Sequence, residues 1–415
     1  MIISEKKAKW MYMFFMTTAS LMAFSKFLIF SKILSIQDFG IYSLVLSLYI
    51  FYVFIGGIGL QEGLLKKGSM SFAIQDHNSS KVFLASSIIA SITISGIVAV
   101  IIISVAYINL DILGTNIQIF FLGFLLAVAT VLFGLLDSFL RSQQKFVLYS
   151  GILMLKNLSA IIVGISLASN YGVQGLIFSE FISVLCIFIV TLIHVFKIRN
   201  FALAKAKVAI KLIRHGYKVM LTMVVRNIAL MADRWFIVLA VGVTALGYYS
   251  FAMILYTISL VSVGFLVTMK GPVWIAAFKT NNNAKDLINN INKWVWLIWL
   301  ILILFSPVIW FFTDDVLSFL YPQYANETVY SLTYIIYASL MAVIPIYLYD
   351  WAFIATSKEG ILFNLNIFGL ILSTLFYSVA WFLSSSILVF ALLFFAARAI
   401  MLCVFLYHLR VMYVS

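Results

Sequence analysis

"DFGIYSLVLS", residues 38–47, returns at 244–253 as "TALGYYSFAM". Gly40-x-Tyr42-Ser43 becomes Gly247-x-Tyr249-Ser250, with a large apolar residue, Phe39 or Leu246, ahead of each glycine. The glycines lie 207 residues apart in a chain of 415. A corner repeated at half the chain's length marks a duplicated fold.

Composition identifies the solvent. Mean hydropathy is +1.13, 64% of residues are hydrophobic and 10% are charged, against about 25% charged in soluble proteins. The chain therefore reads as a polytopic membrane protein. Its apolar runs are continuous and longer than the alternating ~10-residue strands of a membrane barrel. Only helices then satisfy the backbone in hydrocarbon, so the class is all-α.

Windows of ~20 apolar residues predict twelve spans, at 10–34, 40–64, 82–108, 117–140, 147–168, 173–196, 213–241, 247–277, 293–313, 328–350, 361–383 and 387–409. The first follows "SEKKAKW" and reads as a helix, being too long for a cleaved signal and lacking a small-residue cleavage site. The charges test this count. Of 27 Lys and Arg, all but Lys26, Lys32, Lys156, Arg226, Arg234, Lys270 and Arg398 fall in the two termini, the even-numbered gaps or the first six residues of the span that follows one. The odd-numbered gaps carry Asp38, Asp111, Asp314, Asp315 and Glu327 instead. Positive residues on one side only is the pattern of twelve helices with both termini in the cytoplasm. The net charge of +13 is then mostly topology, and nucleic acid is not an expected partner.

Six helices per half is an even number, so both halves run in the same sense. The reading is two parallel six-helix lobes around a central cleft, at 1–196 and 213–415. The basic stretch "KIRNFALAKAKVAIKLIRHGYK" (197–218) contributes a cytoplasmic amphipathic linker, 197–212, suited to anionic headgroups or serving only as a topological anchor. Asp137 in "LLDSFLRSQQKF" and Asp350 in "LYDWAFIATSKEG", 213 apart, give the repeat a second echo. The Gly-x-Tyr-Ser corner is read as a marker of register, with no ligand of its own.

That register organises the intramembrane charges. Lys26 lies 14 residues before Gly40, and Asp233, beside Arg234, lies 14 before Gly247. Glu62 lies 22 after Gly40, and Lys270 lies 23 after Gly247. Helices 1, 2, 7 and 8 are therefore expected to line the cleft. Lys26, Arg226, Arg234 and Lys270 exceed Glu62 and Asp233 by two charges. A net-positive cavity attracts an anion, and Arg and Lys suit phosphate oxygens. Glu62 and Asp233 are candidates for H⁺ or Na⁺ coupling, and Lys66, Lys67 and Arg141 for the cytoplasmic entrance. The alternative is compensation by salt bridges, such as Lys26–Glu62 or Arg226–Asp233. Lys32 is expected to snorkel, and Lys156 and Arg398 to snorkel or pair internally. Pro272 after Gly271 predicts a kink beside Lys270, and Pro307 and Pro345 bends in helices 9 and 10.

No Walker A motif, hydrolase elbow or metal-spaced His/Cys/carboxylate set occurs, so the sequence indicates no enzyme, cofactor or metal. Cys186 and Cys403 both fall in apolar segments and do not form a disulfide framework.

"SKILSIQDFGIYSLVLSLYIFYVFIGGIGLQEGLLKK" (31–67), "MADRWFIVLAVGVTALGYYSFAMIL" (231–255) and "LLDSFLRSQQKF" (135–146) together resemble the bacterial O-antigen flippase (Wzx) family. That family belongs with multidrug and toxic-compound extruders (MATE) and the lipid II flippase. The resemblance implies a MATE-like fold in the bacterial inner membrane. It also implies a substrate, a polyprenyl-diphosphate-linked O-antigen or capsule oligosaccharide moved to the periplasmic leaflet by alternating access. Implied partners are that lipid-linked oligosaccharide, membrane lipids and other polysaccharide-assembly proteins. Related flippases carry cavity-facing basic residues on helices 1, 2 and 8. Lys26 and Lys270 match on helices 1 and 8, whereas helix 2 offers Glu62, with Lys66 and Lys67 only at its end. The rival readings are a cation-coupled multidrug antiporter of the same fold, which would need acid in the cavity, and an assembly subunit without transport.

Overall fold

The computed structural model describes residues 5–113, 117–195, 204–281, 283–383 and 386–414. All regular structure among them is helical. In chain order the helices are α1 (Glu5–Ile33), α2 (Ile36–Gly57), α3 (Leu60–Ala73), α4 (His77–Leu113), α5 (Ile117–Ser142), α6 (Phe146–Val195), α7 (Ala206–Ala240), α8 (Val243–Asn281), α9 (Ala284–Leu320), α10 (Glu327–Ala355), α11 (Glu359–Phe382) and α12 (Ile387–Val414). A 3₁₀ turn at Pro322–Tyr324 joins α9 to α10.

The predicted spans map onto these elements with two differences. Spans 5 and 6 are the two arms of α6, which folds back at Gly172 (φ 54°, ψ −137°). Span 2 is divided into α2 and α3 by left-handed Ile58 (φ 37°) and Gly59 (φ 76°). That break lets α3 cross the start of α7 at backbone distance. A Cβ on Gly59 would lie 2.7 Å from the Gly216 carbonyl carbon, and one on Gly216 would fall on the Gly59 carbonyl oxygen. Only glycine at both places permits the approach. Among the described residues, ten helices are long and apolar enough to span a membrane by themselves, with α6 counted once; α7, the predicted seventh span, is not one of them. The chain is a multi-pass membrane protein.

The expected linker falls partly outside the described residues, including Lys197 and Arg199. Its remainder from Ala206 is the first turns of α7. The Gly271–Pro272 step lies inside α8 and does not end it. Pro307 and Pro345 likewise lie within α9 and α10.

By packing, the chain forms two compact units, residues 1–227 and 228–415. In the first, α5 is central, against α2, α3, α4 and α6, and α1 packs along α6. In the second, α10 is central, against α8, α9 and α12, and α11 packs on α12. Each central helix ends in the same closure. Lys145 N donates to Leu140 O and Gln144 N to Arg141 O, both at 3.0 Å. In the other unit, Lys358 N donates to Phe353 O at 2.8 Å and Ser357 N to Ile354 O at 3.2 Å. Gln144 (φ 56°) and Ser357 (φ 57°) supply the left-handed residue of this Schellman cap. The offset is 213 residues, that of Asp137 and Asp350, so the repeat is present in backbone geometry as well as in sequence.

Burial follows the logic of a lipid solvent. Small polar residues, among them Ser43, Ser47, Ser91, Ser179 and Ser339, are buried between helices, while Trp296, Phe305, Trp310 and Phe319 face outward.

Candidate functional site

In the first unit, Lys26 on α1 sits one turn before Phe30 in a wall of aromatic rings. Its ammonium lies 2.6 Å from Glu180 Oε1 on the second arm of α6, with side-chain exposures of 14% and 8%. Tyr42, the tyrosine of the first Gly-x-Tyr-Ser corner, donates to the same carboxylate oxygen at 2.5 Å. Phe27, Phe30 and Phe39 surround the Tyr42 ring, each centroid 6.2 Å away. Asn157 on the first arm of α6 donates to Ala19 O at 2.7 Å and ties that arm to α1. A buried cation, anion and phenol thus share one point at which three helices meet.

The second unit holds the counterpart with its charges exchanged. Asp233 on α7 is fully buried. Its Oδ2 accepts from Tyr249, the tyrosine of the second corner, at 2.5 Å, and its Oδ1 accepts from Arg234 N at 2.8 Å. Arg398 on α12, 6% exposed, donates through Nη2 to Ala229 O, one turn before Asp233, at 2.7 Å, and lies over the Phe394 ring at 5.1 Å. Tyr42 and Tyr249 are 207 residues apart, as are Lys26 and Asp233. The first helix of one unit carries the cation and its last arm the anion; in the other unit the first helix carries the anion and the last the cation. The corner that served as a register marker is also the hydrogen-bond donor to a buried carboxylate in each unit.

Glu180 was not among the sequence candidates. The signal was available, because it is the sole acid in the apolar run 173–196. For the salt-bridge alternative, whose example was Lys26–Glu62, the structure gives Lys26 a different partner, Glu180. It also lowers the positive excess of the candidate set, since four cations now face three acids.

The remaining candidates lie as follows. Lys270 on α8 is half-buried, 5.1 Å over the Trp294 ring. Arg234 is half-buried with its Nε unpartnered. Arg226 is half-buried and engaged by other groups. Glu62 stands half-buried in the first turn of α3, with Lys66 exposed and Lys67 half-buried one turn on. Arg141 binds Asp137 one turn earlier on α5 at 2.8 Å and lies over the Tyr149 ring at 5.7 Å. Lys156, half-buried, lies over the Phe133 ring at 5.1 Å. Among the described residues, no group of three or more His, Cys, Asp or Glu is placed to hold a metal ion.

The sequence profile of the polysaccharide biosynthesis protein family matches residues 29–330. The chain belongs to that family. No curated protein sequence matches this family member. Its fold is that of known transporters. A multidrug resistance MATE family transporter of the MOP superfamily, in an inward-facing conformation, is similar at TM-score 0.72 and 13% identity, over 95% of this chain and 94% of the other. The lipid II flippase MurJ, in an inward closed conformation, is similar at TM-score 0.72 and 14% identity, over 96% and 87%. A MOP superfamily transporter from Pyrococcus furiosus, described by a reverse polarity of its binding pocket, is similar at TM-score 0.68 and 14% identity, over 98% and 96%. These relatives are transporters and flippases, not enzymes.

Proposed function

We propose that the protein is a flippase that moves a polyprenyl-diphosphate-linked oligosaccharide, an O-antigen or capsule repeat unit, from the cytoplasmic to the periplasmic leaflet of the bacterial inner membrane. The family match across residues 29–330 carries this reading, because it joins polysaccharide synthesis to a chain with a transporter's fold. Alternating access between two halves would bring the diphosphate to Lys26, Arg226, Arg234 and Lys270, after recruitment by Lys66 and Lys67; Arg141, also expected at the entrance, is held by Asp137 at 2.8 Å. The sugars would cross in water and the polyprenyl tail in lipid.

The Lys26–Glu180 pair supports a specific form of this mechanism. A diphosphate reaching Lys26 competes with a carboxylate already 2.6 Å away. Anion exchange on one lysine would release Glu180 to take up H⁺ or Na⁺, giving transport a place to couple to a gradient. Asp233, already held by Tyr249, is the corresponding acid of the second half, and Glu62 the acid nearest the entrance.

The test is flipping of a fluorescent polyprenyl-diphosphate glycan by purified protein in vesicles. Lys26→Ala and Lys270→Ala are each expected to slow it at least tenfold. Wild-type rates from both correctly inserted variants would remove the cationic site. Extrusion of cationic dyes without lipid flipping would replace the flippase with a drug antiporter.

A further inference from the structure

We infer that the first unit carries a carbohydrate-docking pocket at the end of α3 and α5, outside the Lys26 cluster, which takes a sugar ring of the substrate. The inference rests on the flippase reading. Its location on the side of the basic loops places it where the substrate is first met.

The pocket is an open cavity of about 840 Å³, within the roughly 300–1,000 Å³ of small-molecule clefts. Three places on the chain build it. Leu65, Ser69 and Phe72 come from one face of α3, with Gln75 in the following turn. Arg141 and Ser142 come from the last turn of α5, Gln144 from its cap, and Phe146 from the start of α6. Gln75 (φ 59°) and Gln144 (φ 56°) are two of the four non-glycine residues in the left-handed region among the described residues. Each is the left-handed residue of a Schellman cap, ending α3 (Gln75 N to Phe72 O, Asp76 N to Ser71 O) and α5, and the two caps set both glutamines beside one cavity.

The chemistry selects among ligands. Phe72 and Phe146 offer ring faces, and an aromatic face is electronegative and accepts the polarised C–H groups on one side of a pyranose. Gln75, Gln144, Ser69 and Ser142 offer donors and acceptors in near-equal number. Such a mixed lining suits a group that both accepts and donates. A hydroxyl does both. A fully ionised phosphate only accepts, and the one cation lining the cavity is already neutralised by Asp137 at 2.8 Å. Phosphate is better served by the rim, where Lys66 and Lys145 are exposed next in sequence to Leu65 and Gln144. The second unit repeats the cap but has Ile354 in place of Arg141, so the guanidinium that orders this pocket belongs to one half alone.

The experiment is saturation-transfer NMR on the full-length protein in nanodiscs. The probes are the methyl glycosides of glucose, galactose, N-acetylglucosamine, N-acetylgalactosamine and rhamnose, with inorganic pyrophosphate as competitor. At least one glycoside is expected to bind, and Phe146→Ala and Gln144→Gly each to weaken it tenfold or more, with pyrophosphate not displacing it. Both positions are exposed, and glycine relieves the left-handed backbone at 144. Monodisperse variant protein with unchanged glycoside affinity overturns the pocket, as does binding of no glycoside or displacement by pyrophosphate. Because binding is read without transport, glycoside binding with no flipping would sink the flippase reading alone. Flipping with no glycoside binding would sink the pocket alone.

Discussion

Glu180→Leu should be the most damaging single change in the first unit, and its cost can be worked from the contact. Lys26 and Glu180 sit 2.6 Å apart with side chains 14% and 8% exposed. Unit charges about 4 Å apart attract by about 4 kcal/mol at an effective dielectric of 20. Removing one partner leaves the other buried and uncompensated, which typically costs about 3–5 kcal/mol. Lys26→Met is expected to cost less, because Tyr42 still donates to Glu180. The double variant Lys26→Met/Glu180→Leu should be more stable than Glu180→Leu alone, since no orphan charge remains. Glu180→Gln separates the terms: it keeps an acceptor for Tyr42 and loses only the charge. The assay is reversible unfolding of wild type and these four variants in bicelles, with wild type, the two single variants Glu180→Leu and Lys26→Met and their double read as a double-mutant cycle. Interhelical hydrogen bonds in membranes couple by about 0.6 kcal/mol on average. A coupling energy no larger than that would refute the claim that this pair is an ionic tie across α1 and α6.

Two further outcomes follow from the same geometry. Tyr42→Phe and Tyr249→Phe each remove a hydrogen bond to a buried carboxylate, so each should cost about 1.5–3 kcal/mol in the same unfolding measurement. A loss in one unit and none in the other would break the structural equivalence of the corners. Gly216→Ala puts a methyl group on the Gly59 carbonyl oxygen, and overpacking of this kind costs about 1–3 kcal/mol or more. A thermal-unfolding midpoint unchanged from wild type would show that α3 and α7 do not meet at backbone distance.

The order of spans was readable because lipid demands it. A run of ~20 apolar residues has one stable form in hydrocarbon, and charged loops choose a side. The break at Ile58–Gly59 carried a signal in Gly56, Gly57 and Gly59, but the apolar run hid it within one span, and left-handed Ile58 itself carries no turn signal. Its left-handed backbone is imposed by the need of α3 to reach Gly216 on α7. Lys26 was found as a charge in the wrong solvent, and the one partner offered for it as an example, Glu62, is not the one it meets. Glu62 and Glu180 are equally plausible by hydropathy, and only the packing of α1 along α6 brings one of them within 2.6 Å.

Sequence alone therefore determined the solvent, the helical class, the duplication of the chain and which residues carry charge into its apolar runs. Each of these follows from one-dimensional spacing and transfer energy. Tertiary structure decided who meets whom. It turned Tyr42 and Tyr249 from register marks into donors, exchanged the charges of Lys26–Glu180 in the Asp233 and Arg398 cluster, and gathered Phe72, Arg141, Gln144 and Phe146 around one cavity. Contacts between helices distant in sequence depend on crossing geometry and close packing, which no local pattern encodes.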